Sequence, residues 1–325
     1  MQQQFLVESP WLIWAEQLQR SLTAAQQLDP ACQCHVLIDP SLSNAAEDEV
    51  FAEAMQATGV KPVPIEWQHA KLAPEHRPAL VTVDTAVNLG SELLSLSMQL
   101  AAQDADATHL QQGRGQRIAG WLLSSATTRA LARHLGAMAV QTLPDGLPPS
   151  AGRTRLLRFF DPLVLPVLWG LSDPEQRAAF MGPAQQWFVL DNGRELRALS
   201  QAAVAGEQPS RATWRAAQWR VLLCLDAFNP AAIGQGLSEA LIALRPTVLA
   251  TLGRISELGI HEPRDLQSLA KLGIKHHPEF DRHPHVNQLL TQRVADQSAA
   301  MALAVLTADD WRRIADELNT RAAQR

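Results

Sequence analysis

Near residue 190 the sequence changes character, and that change limits what the chain can fold into. Before it, segments of helical and strand periodicity alternate; after it only helical periodicity remains. Residues 11–28 place Trp11, Trp14, Leu18, Leu22 and Leu28 at helical spacing. Cys34 to Ile38 is a short apolar strand ended by Asp39-Pro40. Residues 45–57 read as a helix closing near Gly59, and Pro62 and Pro64 demote the next segment to an edge strand or loop. Ala79 to Val83 reads as a strand, 89–102 as a helix, Ile118 to Leu123 as a strand, and Ser125 to Ala139 as a helix with Leu131 and Leu135 inward. Val140 to Leu143 reads as a short strand before the turn Pro144-Asp145-Gly146, and Thr154 to Phe160 as a Leu- and Phe-rich strand. Pro162 to Trp169 reads as a helix. Ser172 and Glu175 fit a capping box for the next, which should end at Gly182-Pro183. Trp187 to Leu190 is the last strand, turned by Asp191-Asn192-Gly193.

Beyond it, residues 195–204, 210–227, 236–258, 263–272, 285–305 and 308–323 all read as helices. Gly259 and Gly273 sit where C-terminal caps belong, and Thr307 can cap the last helix. The expectation is an α/β lobe over residues 1–193, with a mixed or mostly parallel sheet and flanking helices, followed by an all-α lobe over 194–325. The length of 325 residues suits two domains.

Composition removes several classes of function. A hydrophobic fraction of 46% can build real cores, and 19% charged residues argues against disorder. A net charge of −5 makes a general nucleic-acid binder a poor fit, because such affinity comes from cations on phosphates. Cys32, Cys34 and Cys224 are too few for a disulfide scaffold, and Cys32-Gln33-Cys34 is too tight for the usual zinc or redox spacing. The Met1-Gln2-Gln3-Gln4-Phe5 start lacks a signal-peptide pattern, and no apolar run reaches the roughly 20 residues of a membrane span. The expectation is a cytoplasmic protein without membrane insertion.

The densest cluster of reactive side chains runs from Lys275 to His285, where four of ten histidines fall within eleven residues. Imidazoles and carboxylates are metal ligands, so His276, Asp281 and His283 define a possible divalent-metal site. The simpler reading is a polar loop bounded by Pro278 and Pro284. Gly113-Arg114-Gly115 precedes a strand instead of following one, which is the wrong order for a phosphate cradle. Ser124, Ser125 and His134 could be written as nucleophile and base, but no third group positions them, and Ser125 also suits a helix N-cap. Gly253 to Leu266 has the outline of a helix-hairpin-helix turn without its cationic neighbours, which fits a structural corner. There are nine tryptophans and no tyrosine; each tryptophan defaults to core, with an interface role open to one or two.

Arg158 sits between Leu156-Leu157 and Phe159-Phe160. A charge there is costly unless it is paired or at an edge, and Asp161 is a nearby candidate partner. Asp161 also stands where a helix N-cap belongs, with Pro162 at the first helical position. The element reads as a strand-to-helix corner that is complete without catalysis.

Four pieces occur together and in order: Gly120 to Ser125; His134-Leu135 with Leu143 to Gly146; Leu157-Arg158-Phe159-Phe160-Asp161-Pro162 with Leu165; and Met181-Gly182-Pro183 with Trp187. This order resembles the adaptor chaperones of type VI secretion (Tap or TEC type), whose N-terminal lobe is catalogued as a domain of unknown function. Residues 35–39 resemble that family's first strand, Ala79 to Val81 its second, and Phe280-Asp281-x-His283-Pro284 its helical tail. The likeness covers residues 30–190 well and the rest loosely; residues 72–120 match in outline, and Asp39-Pro40 replaces the family's usual small residues. It implies a non-enzymatic protein, with no cofactor and no catalytic residue, whose partners are a cognate toxic effector and the spike protein (VgrG). It also implies that Arg158, Phe159, Phe160, Asp161, Pro162, Gly182 and Pro183 are structural. A metal-dependent hydrolase and a toxin-neutralising immunity protein are the alternatives.

Overall fold

The computed structural model describes residues 10–42, 45–67, 77–112, 115–145, 147, 153–190, 195–200, 212–294 and 297–324. The chain divides into two units. One comprises Met1–Thr142 with Thr154–Trp214, and the other Leu143–Arg153 with Arg215–Arg325.

In the first unit the chain runs α1 (Pro10–Leu28), β1 (Gln33–Ile38), α2 (Ala45–Thr58), β2 (Val63–Pro64), β3 (Ala79–Val83), α3 (Asn88–Asp104), α4 (Ala107–Gln111) and β4 (Ile118–Ser124). It continues through α5 (Thr128–Ala139), β5 (Val140–Thr142), β6 (Thr154–Leu156), α6 (Leu165–Leu171), α7 (Pro174–Met181), β7 (Ala184–Leu190) and β8 (Leu196–Ser200). Six strands form one sheet in the order β2-β3-β1-β4-β7-β8, and β5 and β6 form a separate ribbon. The expected α/β lobe followed by helices is present, but the sheet direction needs correction. Every pairing among the described strands is antiparallel, where a mixed or mostly parallel sheet was expected. The reason is topological. The helical connection from β3 to β4 passes over β1, so the two parallel strands it joins are never neighbours.

The sheet is covered on both faces, which explains why β4 is buried along its whole length. One face carries Val36, Val81, Trp121 and Phe188 against Leu18 and Leu22 of α1 and Leu93 and Met98 of α3. By strand alternation the other face carries His35, Leu37, Leu80, Leu122 and Trp187. At Gly120, φ is +143°, and the β1–β4 register shifts beside it. A Cβ there would stand 2.4 Å from the Phe188 carbonyl oxygen, so only glycine fits this bulge.

A buried ion pair unseen in the sequence closes one end of this sheet. Asp104, at the end of α3, has no solvent exposure. Its carboxylate accepts the Arg117 backbone N–H at 2.7 Å and the Arg117 guanidinium through Nε and Nη2, the latter at 2.7 Å. His109 Nε2 lies 3.4 Å away, and the Arg117 carbonyl accepts the Asp39 N–H at 2.7 Å.

The second unit contains α8 (Ala216–Ile233), α9 (Glu239–Glu257), α10 (Pro263–Lys275), α11 (Pro284–Thr291), α12 (Ala299–Leu303) and α13 (Ala308–Ala323), with a 3-10 turn at Phe280–Arg282. Ser238, Glu262, Ser298 and Thr307 accept backbone N–H groups at the starts of α9, α10, α12 and α13. Gly259 follows the Leu258 C-cap of α9 at φ +80°, the left-handed position that favours glycine just past a helix end. Gly273 is instead inside α10, where the Phe280 ring packs 3.5 Å from the site of a Cβ. The expected helix over 285–305 is two helices. The expected helix over 195–204 is strand β8 through Ser200, paired with β7; residues 201–204 lie outside the described set. Buried Leu196 and Leu199, three apart, imitate helical spacing.

Two measurements test this fold. Asp104→Ala leaves a buried guanidinium without its carboxylate, and the expected loss is about 3–5 kcal/mol in denaturant unfolding. A loss under about 1 kcal/mol would show that the pair does not hold the sheet end. The second concerns His35, fully buried, whose Nδ1 lies 3.1 Å from Thr82 Oγ1. Burial pushes its imidazole down from 6.5 to about 4. The depressed value means that folding favours the neutral ring. Its contribution is therefore whole above about pH 6.5 and is lost as pH falls toward about 4, on the order of 3 kcal/mol in all. The difference in stability between wild type and His35→Gln, followed from about pH 7 to about pH 4.5, should shrink by that order; a constant difference contradicts it.

Candidate functional site

Two constellations were expected from the sequence, and each is fixed by its own neighbours. The first is the Arg158–Pro162 corner. β6 ends at Leu156, so Phe159 and Phe160 lie in a turn and not on a strand. Both rings are buried. Phe159 meets Phe160, Phe180 and Trp187 edge-on, with centroids at 5.6, 5.5 and 5.8 Å. Phe180 stacks on Trp187 at 5.4 Å, and Trp67 stacks on Phe160 at 5.7 Å. Such pairs add about 0.5–1.5 kcal/mol each beyond burial. A turn inserted into this aromatic core has little freedom.

Asp161 fixes the turn, but not as the N-cap of α6. That helix starts at Leu165 with Val164 at its N-cap. The Asp161 carboxylate accepts the Leu163 N–H at 2.9 Å, and its carbonyl accepts Val164 and Leu165 N–H. Pro162 therefore sits inside an Asx-type turn. Arg158 does pair with Asp161, at 3.7 Å, and lies 6.0 Å over the Phe160 ring. Its side chain is 50% exposed, so the expected penalty for a buried arginine does not arise. Burial raises the Asp161 carboxyl above the usual range, opposed by Arg158 and the Leu163 N–H.

Gly182 and Pro183 close α7 next to the same aromatic core. Gly182 has φ +52°, and the His134 imidazole occupies the space a Cβ would need, 2.2 Å away. His134 Nε2 lies 2.9 Å from the Phe180 carbonyl oxygen, and burial holds this histidine below its ordinary range. Ser124 Oγ donates to the Pro183 carbonyl at 2.8 Å. Ser125 Oγ donates to the Asp29 carboxylate and accepts from Gln185 Nε2. Ser124, Ser125 and His134 thus share no partner and do not form a nucleophile–base pair. Ser125 caps no helix; Thr127 caps α5. Ser172 likewise yields the α7 cap to Asp173, which forms a capping box with Gln176, while Ser172 Oγ accepts from Trp214 Nε1 at 2.9 Å.

The second constellation is the histidine-rich loop. His276 stacks on Trp311 with centroids 4.6 Å apart. Asp281 is forked by Arg254, with Nε at 2.6 Å and Nη2 at 2.8 Å, and accepts Thr251 Oγ1 at 3.2 Å. His283 Nε2 lies 3.1 Å from Glu317 Oε2. Among the described residues no three His, Cys, Asp or Glu side chains come close enough to hold a metal ion. The candidates His276, Asp281 and His283 instead fasten the loop to α13, α9 and α13 respectively. The three cysteines are free and buried, and burial pushes the Cys34 and Cys224 thiols up to about 12. Gly113 and Arg114 lie outside the described residues.

The corner supplies a test. Asp161→Asn keeps the acceptor for Leu163 and loses only a half-exposed ion pair, so its stability should stay within about 1 kcal/mol of wild type. Asp161→Ala also loses the acceptor and should fall below the asparagine variant by about 1 kcal/mol. Equal unfolding midpoints for the two variants would show that the turn does not depend on this bond.

With this geometry in view, the chain was compared with known proteins. A family model described as a domain of unknown function, DUF4123, matches residues 34–179. The match begins in β1, includes the whole Arg158–Pro162 corner and ends within α7, just before Gly182. Comparison with curated proteins and with solved structures gave no match. No helix among the described residues is long and apolar enough to cross a membrane. The matched model describes a domain associated in general with effector adaptors of type VI secretion.

Proposed function

We propose that this protein is a non-enzymatic adaptor that binds a cognate toxic effector in the cytoplasm and helps to load it onto the type VI secretion spike. The observation that carries this reading is the DUF4123 match over the corner-bearing lobe. The geometry supports it in a second way. The side chains offered by the sequence as nucleophile, base or ligand are each engaged in holding the fold: His134 on Phe180, Ser125 on Asp29, Asp281 on Arg254 and His283 on Glu317. On this reading the first unit is a rigid platform, and the partners are recognised by surface and not by chemistry.

The test is genetic and biochemical together. Co-expressed with the products of its adjacent genes, the full chain should co-elute with a toxin and with a spike protein. Deleting it should abolish delivery of that toxin to target cells while the producing cell stays resistant. If deletion instead sensitises the producer to its own toxin, the protein is an immunity factor. If the chain co-elutes with neither partner, the adaptor reading fails.

A further inference from the structure

The β5–β6 ribbon has an open strand edge. Its register pairs Val140 with Leu156, Gln141 with Arg155 and Thr142 with Thr154. The bonds that bracket it are Leu157 N–H to the Ala139 carbonyl at 2.7 Å and Leu143 N–H to the Arg153 carbonyl at 2.9 Å. Antiparallel pairs alternate between bonded and unbonded residues. Gln141 and Arg155 are therefore a bonded pair, while Thr154 and Leu156 aim their N–H and C=O groups away from β5. Among the described residues nothing hydrogen-bonds to those outward groups. Thr154 and Arg155 are exposed, and Leu156 is half-buried.

The edges of the six-stranded sheet are different. β2 has two residues, one of them Pro64, and follows Pro62, which blunts that edge. At β8, Gln17 Nε2 reaches the Leu196 carbonyl at 3.4 Å. β6 has neither protection. The charges on and beside it are all positive, although the chain as a whole carries −5: Arg153 just before the strand, Arg155 on it and Arg158 just beyond it. Arg158 meets Asp161 only at 3.7 Å, loose enough to turn toward a stronger partner.

We propose that the open edge of β6, Thr154 to Leu156, accepts a third strand from a partner protein, and that this strand is an extended acidic segment. Backbone groups supply the pairing, and Arg155 with Arg158 selects the charge. A second copy of this chain is a poor occupant. Antiparallel pairing of two β6 edges would set arginine against arginine, and like charges facing each other across strands are destabilising. The inference requires only that the partner be a protein and does not depend on a secretion role.

The experiment uses the full chain and three probes: a short peptide alternating threonine and glutamate, its lysine counterpart, and the acidic peptide N-methylated at every amide, so that neither edge of it can donate. The acidic peptide should bind and should slow hydrogen exchange at the Thr154 and Leu156 amides. The lysine and N-methylated peptides should bind at least about tenfold more weakly. Thr154→Pro removes one outward N–H without touching the β5 bonds and should abolish binding with the unfolding midpoint retained. If that proline lowers stability, Arg155→Glu serves instead and should weaken the acidic peptide while strengthening the lysine one. Absence of binding by the acidic peptide overturns the proposal. So does binding without protection at Thr154 and Leu156, or self-association of the chain through this edge. None of these outcomes touches co-elution with toxin and spike, so the adaptor reading stands or falls separately.

Discussion

The first unit depends on a carboxylate placed where no water reaches it. Asp104 is enclosed at the end of α3, and burying a lone carboxylate would cost several kcal/mol. Arg117 offsets that cost in two ways: its guanidinium forks the carboxylate, and its backbone N–H adds a further bond. The Arg117 carbonyl meanwhile accepts the Asp39 N–H just past the last β1–β4 pair. One interaction thus joins the end of α3, the entry to β4 and the exit from β1. A slip of β4 by one residue would pull Arg117 off Asp104 and turn Trp121 and Leu123 to the wrong face. Hydrophobic burial makes this sheet stable and sets which face of β4 points inward; the ion pair adds a second, directional constraint on the same register.

The sequence revealed this fold unevenly, and the reasons are physical. Cys34–Ile38, Ala79–Val83 and Ile118–Leu123 were legible because each is an apolar run in a strand buried on both faces. Strand direction was not legible, because alternating helices and strands do not say which strand is inserted between two others. β8 was hidden because Leu196 and Leu199 are spaced as on a helix. The corner residues were found, but their local roles were shifted: Phe159 and Phe160 belong to a turn, and Asp161 holds that turn instead of capping α6. Asp104 and Arg117 gave no signal, since their pairing spans a connection and a helix end that only the fold brings together.

The histidine-rich loop shows the same limit from the other side. Density of ligand-type residues suggested chemistry, but a metal site needs those residues to converge on one point. Here Arg254 takes Asp281, Glu317 takes His283 and Trp311 takes His276, each from a different position in the helical unit. A local cluster in sequence is thereby spread into three separate fastenings. Spacing within the loop could not reveal this, because the competing partners lie on α9 and α13.

Rigidity at the Arg158 corner links the fold to the open strand edge. Binding an extended segment orders the incoming chain, and affinity survives best when the receiving strand is already fixed. β6 is pinned at one end by the bond from Leu157 to Ala139. Two residues later Phe159 enters the cluster with Phe180 and Trp187. With these anchors beyond its C-terminal end and the Leu143 N–H bonded to the Arg153 carbonyl before its start, the backbone of Thr154 to Leu156 has little freedom left to lose. The aromatic corner, structural in itself, therefore preorganises the edge beside it. A surface of this kind needs no catalytic residue to be selective: the geometry of the edge sets the shape of its partner, and two arginines set the charge.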